Sequence, residues 1–312
     1  MEKPIIINTQ NLTRDFNQTH AVNNLSLKVR EGTIFGFLGP NGAGKTTTIR
    51  LLLGILEPTS GNAEVLGMDI KKQANQIREA TGVLLEHDGL YEKLSAQDNL
   101  EFYSRAWHIK PIERQERIQE LLTHFGLYDR RKEPVGTWSK GMKRKLALAR
   151  TMLHKPTLLF LDEPTSGLDP IASATLRGDL ASLAVKEGVT IFLTTHNLSE
   201  AENLCNQIGV IAKGKLAAVG TLDELRKRNR KGTVKVEITG KGFTEKLVAQ
   251  LKAQPEIAEA QVSNGKLIVE LQQNTNVAPI TSLIIGLGGS VEEVHKSNLE
   301  ETFLDIMEAQ QQ

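Results

Sequence analysis

The chain has 312 residues, 39% of them apolar, which is enough for two packed domains. Lys and Arg total 38 against 37 Asp and Glu, a formal net charge of +1, which argues against a general nucleic-acid binder, and the single cysteine, Cys205, excludes an internal disulfide and fits a reducing cytosol. The first ten residues, MEKPIIINTQ, lack the apolar core of a signal peptide, and no apolar run approaches the roughly 20 residues that cross a bilayer, so any membrane role is expected to come through a partner.

Residues 1–30 read as short strands, around Ile5-Ile6-Ile7 and Leu25-Ser26-Leu27-Lys28-Val29. The run Ile34-Phe35-Gly36-Phe37-Leu38 reads as a strand that leads into Gly39-Pro40-Asn41-Gly42-Ala43-Gly44-Lys45-Thr46, with a helix expected over 46–56. That octapeptide matches G-x-x-x-x-G-K-[ST] at every fixed position, in the strand–loop–helix setting that the motif needs. Its glycines let amide hydrogens converge on an anion, and the helix N-terminus adds about half a positive charge. Lys45 is then placed for the outer phosphates and Thr46 for magnesium, so the chain is expected to bind a nucleoside triphosphate.

Residues 90–155 read as mostly helical. Near their end, Trp138-Ser139-Lys140-Gly141-Met142 opens a helix with apolar positions at Leu146, Ala149 and Leu153; Ser139 suits the N-cap, and Gly141 lets an anion approach the backbone. Leu158-Leu159-Phe160-Leu161 is expected to be a central parallel strand, and it runs into Asp162-Glu163. Adjacent carboxylates at the end of a buried strand are costly, and beside a phosphate loop they suit a magnesium ligand, Asp162, and a general base, Glu163. A further strand, Thr190-Ile191-Phe192-Leu193-Thr194-Thr195, exits at His196, where an imidazole can reach a terminal phosphate. Two more strands, 208–212 and 215–219, flank the turn Lys213-Gly214, and strands alternating with helices imply a mostly parallel α/β sheet.

The basic stretch 226–232 marks a domain boundary, placed between residues 228 and 229. Beyond it, Val234, Val236 and Ile238 alternate as a strand; a helix is expected over 243–251, and the strands 260–263 and 266–271 flank an Asn264-Gly265 hairpin turn. A helix over 277–287, a strand over 290–295 and a last helix over 299–307 follow. The order βαββαβ suggests a small ferredoxin-like α+β domain, residues 229–312, with an accessory, dimerising or regulatory role.

At this point the sequence resembles the nucleotide-binding subunit of ATP-binding cassette (ABC) transporters over roughly residues 3–225. Gly39 to Thr46 matches the Walker A motif, Leu158 to Glu163 Walker B, Ser166-Gly167-Leu168-Asp169 the D-loop and His196 the switch histidine. Ser139-Lys140-Gly141-Met142 resembles the signature motif in the form used by one exporter branch. The resemblance implies a P-loop NTPase cassette over 1–228, with a mostly parallel sheet core, an antiparallel β subdomain and a helical subdomain. It implies ATP and Mg2+ as cofactors, with Phe16 stacking on adenine, Gly39 to Thr46 and Thr47 on the phosphates, Asp169 in the D-loop, and Ser139 and Gly141 on the nucleotide of a second cassette. Glu163, Lys45 and His196 take the catalytic positions, and Thr46 and Asp162 take the metal positions. Glu86, after Gly82-Val83-Leu84-Leu85, stands where the family usually has a glutamine that contacts the metal; a carboxylate adds charge there.

The same resemblance implies a head-to-tail pair of cassettes, identical or paralogous, that closes on ATP and reopens after hydrolysis. It also implies an integral-membrane permease as partner, a docking groove in 90–155 near Gly89-Leu90-Tyr91, and a place on the inner face of the cell membrane, with no nucleic acid involved. Together with the tail Ser297 to Leu304, the signature points to the branch that exports drugs, antibiotics, sodium ions or envelope precursors. The alternative is a soluble cassette ATPase acting on ribosomes or nucleic acid, whose relatives usually carry two cassettes or a long coiled-coil insertion; neither is present.

Overall fold

The structure, a computed structural model, describes residues 3–227, 233–263, 265–272 and 276–296. By its contacts the chain divides into two compact units, Met1–Val219 and Gly220–Gln312. The expected boundary at 228/229, the turn residue Asn264, the helix over 299–307 and the tail 297–304 all lie outside the described residues.

The first unit opens with β1 (Ile5–Phe16) and β2 (Thr19–Arg30), an antiparallel pair far longer than the runs the sequence suggests. Ile7, Leu12, Val22, Leu25 and Val29 face the core, and the pairing register shifts near Asn11 and Asn24, which take left-handed φ values of 48° and 52°. These shifts break the strict alternation by which strands are read from sequence. The fully buried β3 (Ile34–Leu38) leads through the glycine loop into α1 (Lys45–Leu52). This helix stops short of the expected residue 56 because Gly54 turns the chain with φ 61°. The short β4 (Ser60–Val65) and β5 (Met68–Asp69) complete a sheet of order β2-β1-β4-β5.

The helix α2 (Ala74–Ala80) and strand β6 (Thr81–Leu84) precede the helical stretch of α3 (Ala96–Ala106), α4 (Pro111–His124) and α5 (Lys140–Thr151). Arg117 of α4, only 5% exposed, ties this stretch to the rest of the unit: its guanidinium donates to the Met152 carbonyl and to both Glu187 oxygens. Burial disfavours its charge, yet the hydrogen bonds to Glu187 and Glu120 outweigh that and raise its pKa. The chain continues through β7 (Leu158–Asp162), α6 (Pro170–Glu187), β8 (Thr190–Thr195), α7 (Leu198–Leu204), β9 (Gln207–Ala212) and β10 (Lys215–Gly220).

The second sheet has the order β10-β9-β3-β8-β7-β6. From β9 to β6 every adjacent pair is parallel, whereas β10 returns through the two-residue turn Lys213-Gly214 that the sequence suggests. Phe192 packs against Phe35, Phe37 and Phe160, with ring centroids 5.3, 5.5 and 5.7 Å away, which keys the three central strands to one another. Because β3, β8 and β7 are adjacent and parallel, their C-terminal ends bring the glycine loop, His196 and Asp162-Glu163 to one edge.

The second unit starts with α8 (Leu222–Lys227) and then follows the order expected from the sequence: β11 (Thr233–Lys241), α9 (Glu245–Lys252), β12 (Ile257–Ser263), β13 (Lys266–Gln272), α10 (Val277–Gly286) and β14 (Ser290–Lys296). Its antiparallel sheet has the order β12-β13-β11-β14, as in a ferredoxin-like unit. Leu247, Leu251, Ile280 and Ile284 from the two helices pack on Val236, Ile238, Leu267 and Val269. Thr244 caps α9, which therefore begins at Glu245 and not at residue 243, and Asn276 caps α10.

Candidate active site

The glycine loop is fixed by close backbone approaches. A Cβ on Gly44, whose φ is 106°, would fall 2.3 Å from the Ala21 carbonyl oxygen, and one on Gly39 would fall 2.4 Å from that of Ile211. The loop is therefore clasped between β2 and the end of β9, and the Ala43 carbonyl accepts from the Gly214 amide at 3.0 Å. Lys45 is 5% exposed; its ammonium donates to the Gly39 and Pro40 carbonyls at 2.8 and 3.1 Å. The same Nζ stands 3.2 Å from Glu163 Oε1.

Asp162 and Thr46, 116 residues apart in sequence, meet through a hydrogen bond of 2.7 Å from Thr46 Oγ1 to Asp162 Oδ2. Thr194 completes this set: its hydroxyl donates to Asp162 Oδ1 and accepts from the Glu163 amide at 3.1 Å. Glu163 itself takes a left-handed φ of 47°, which turns its side chain off the strand end toward Lys45 and His196. Its Oε2 lies 3.0 Å from His196 Nδ1. Burial would push the Glu163 carboxyl up, but the hydrogen bonds from His196 and Lys45 outweigh burial and hold it below the usual carboxylate range. Glu163 is thus held ionised, with one oxygen on a cation and the other on an imidazole.

The structure gathers Lys45, Thr46, Asp162, Glu163 and His196 at one edge and places the other expected residues around them or apart. Thr47 lies in the first turn of α1. Glu86 is exposed two residues past β6, at the same end of the sheet but outside the hydrogen-bonded set of Thr46, Asp162, Thr194 and Glu163. Phe16 is 42% exposed at the end of β1, with the Arg14 guanidinium 4.7 Å above its ring centre. Ser139 caps α5, its hydroxyl accepting from the Met142 amide at 3.3 Å. Gly141 backs onto Ala172, and Asp169 caps α6 by accepting from the Ala172 amide at 2.8 Å. Thr194 was missed by sequence reading; the available signal was a hydroxyl residue in an otherwise apolar strand, immediately ahead of Thr195-His196.

A separate apolar groove of about 460 Å3 is lined by Ile55, Val83, Tyr103, Trp107, Arg150 and His154, among others. Trp107 stacks on His154 with ring centres 4.0 Å apart. Tyr91, at 47% exposure, is surface and not core, and it meets Phe102 edge-on at 5.0 Å.

The family model described as ABC transporter matches residues 22–166. The bacitracin transport ATP-binding protein BcrA of Bacillus licheniformis is 44% identical over 226 residues, which cover 72% of this chain and 73% of that protein. The daunorubicin resistance ATP-binding protein DrrA3 of Streptomyces coeruleorubidus is 37% identical over 280 residues, 90% of this chain and 85% of its own length, so the likeness reaches into the second unit. A solved ATP-binding subunit of an ABC transporter superposes with a TM-score of 0.64 at 30% identity, over 72% of this chain and 92% of that chain.

Proposed function

This chain belongs to the ABC transporter family and is an ATP-hydrolysing cassette; from that premise we propose that it powers export through a separate membrane-spanning permease, closing on ATP against a second cassette. The observation that carries the reading is Glu163 held between Lys45 at 3.2 Å and His196 at 3.0 Å, beside the glycine loop. In turnover, Lys45 leaves Glu163 for the outer phosphates, and the freed carboxylate takes a proton from the attacking water. The water oxygen bonds to the terminal phosphorus, and the bond from that phosphorus to the oxygen retained by ADP breaks. His196 steadies the carboxylate and faces the departing phosphate.

Thr46 and Asp162 form an oxygen-only donor pair around a buried carboxylate, which suits a hard divalent cation such as Mg2+, with Glu86 at the same end of the sheet as a third oxygen source. When bound, the ion neutralises charge on the outer phosphates. The adenine is assigned to Phe16, the phosphates to the amides of residues 39–47, and the second cassette's nucleotide to Ser139 and Gly141, with Asp169 beside the shared interface.

Among the described residues no helix is long and apolar enough to cross a membrane, so the spanning part is assigned to the permease and the cassette to the inner membrane face. The groove at Trp107 and Tyr103 supports docking of a short, partly apolar permease segment. The relatives named for bacitracin transport and daunorubicin resistance favour antibiotic-like compounds as the cargo class. They lend nothing to a role on ribosomes or nucleic acid. In the decisive variant, Glu163→Gln, ATP binding persists while kcat falls by about 100-fold or more. Turnover at the wild-type rate would remove the general-base assignment.

A further inference from the structure

Glu200 is a buried carboxylate that the mechanism above leaves unused. It sits in α7, one turn past His196, and is 1% exposed. Its Oε1 accepts a hydrogen bond of 2.8 Å from the Thr165 hydroxyl, and Thr165 is itself only 9% exposed. Burial pushes the Glu200 carboxyl up, while hydrogen bonds from Thr195 and Thr165 and the nearby Arg177 pull it back toward the charged form. A carboxylate sequestered in this way is costly and must be held by good partners. It borders a cavity of about 170 Å3 whose lining also includes Glu163, His196 and Arg177.

Thr165 belongs to the loop 163–168, and that loop touches two functional groups. At its start is Glu163, and the loop folds back on itself through Ser166 N donating to Glu163 O and Leu168 N donating to Thr165 O, both at 3.1 Å. At its far end, Lys140 lies over Gly167, where an added Cβ would fall 2.1 Å from the Lys140 ammonium. Just beyond the loop, Ala172 abuts Gly141, 3.2 Å from an added Cβ there. The loop therefore bridges the catalytic carboxylate and the turn that carries Ser139, and the Thr165–Glu200 bond pins its middle to α7.

We propose that Glu200 is a positioning residue for ATP hydrolysis: through Thr165 it fixes the 163–168 loop so that the Glu163 carboxylate stays aligned with Lys45 and His196. The inference rests on Glu163 being the general base. In this role Glu200 acts through Thr165 and not on the reacting atoms themselves.

Steady-state ATPase measurements on the full chain test this with Thr165→Val, Thr165→Ser, Glu200→Ala, Glu200→Gln and the double variant Thr165→Val/Glu200→Ala. Thr165→Val and Glu200→Ala each lower kcat about tenfold and leave the KM for ATP within about twofold. Thr165→Ser and Glu200→Gln, which retain a hydroxyl donor and an oxygen acceptor, recover kcat to within about threefold of the wild type. The double variant is no slower than the slower single one, because both remove the same bond. Wild-type kcat in Thr165→Val, single effects that multiply in the double variant, or a loss confined to KM would each overturn the proposal. Should Glu200→Ala fail to fold, the Thr165 pair decides by the same criteria. Glu163→Gln measured alongside separates the two failures: an inactive Glu163→Gln with a fully active Thr165→Val sinks only this inference, whereas an active Glu163→Gln sinks the base assignment beneath it.

Discussion

Thr194→Val isolates the hydroxyl that links the two carboxylates of the site. Thr194 is fully buried, and its Oγ1 donates to Asp162 Oδ1 while accepting from the Glu163 amide at 3.1 Å. The Glu163 amide also reaches the Thr194 carbonyl at 3.1 Å, so the substitution leaves that donor a partner and concentrates the loss on Asp162. A hydrogen bond to a charged group contributes about 1.5–3 kcal/mol, and the extra buried methyl offsets about 0.8 kcal/mol of it. The net loss is about 1–2 kcal/mol. For a unit of 219 residues each kcal/mol moves Tm by about 2–4 °C, so nucleotide-free Thr194→Val should melt about 2–8 °C below the wild type. Circular dichroism thermal scans read this directly. Because the Asp162 carboxylate then keeps its Thr46 bond but loses the one that fixes its other oxygen, its orientation loosens, and kcat at saturating ATP and Mg2+ should also drop about tenfold. A Tm within about 1 °C of the wild type together with an unchanged kcat would refute the claim that Thr194 holds the site in shape.

Lys45→Ala removes the cation from a pocket of carbonyls and a carboxylate; ATP affinity should fall roughly 10- to 100-fold by titration calorimetry, and unchanged affinity would argue against the phosphate-loop assignment. The depressed Glu163 pKa makes a pH prediction. Its folded-state pKa lies below the unfolded value, so its contribution to stability is present above the unfolded pKa and disappears as pH falls through the lower folded one. His196 supplies the largest of the interactions that lower that pKa, so in His196→Ala the acid limb of kcat should move to higher pH, alongside a lower plateau; an acid limb that stays in place would show that the 3.0 Å contact does not set the charge of Glu163.

Much of the site was legible because its chemistry is local in sequence. The glycine loop and the Asp162-Glu163 pair each announce themselves within a few residues, and the parallel register of β3, β8 and β7 does the rest. The ferredoxin-like order of the second unit was readable for a similar reason, since Val236 and Ile238, and later Leu267, Val269 and Leu271, alternate cleanly onto one core. What escaped was whatever depends on tertiary neighbours. The strands β4 and β5 are short and half exposed, with Gly61 inside the first and Gly67 just ahead of the second, and only the pairing of β4 with β1 and of β5 with β4 makes them strands. In α7, acidic positions look alike in sequence, yet Glu200 is buried against Thr165. Thr194 reads as an ordinary strand residue until Asp162 is seen beside it. Glu86 illustrates the opposite case: the family position draws it toward the metal, while in this structure it stands exposed at the loop that follows β6.

The central claim is that ATP, held by Lys45 and spared by a disabled Glu163, draws two cassettes together. Light scattering on the purified full chain carrying Glu163→Gln measures it directly. With ATP and Mg2+ the mass should be that of two chains, and with ADP that of one. A one-chain mass in ATP, at concentrations where titration shows the nucleotide bound, would contradict the account.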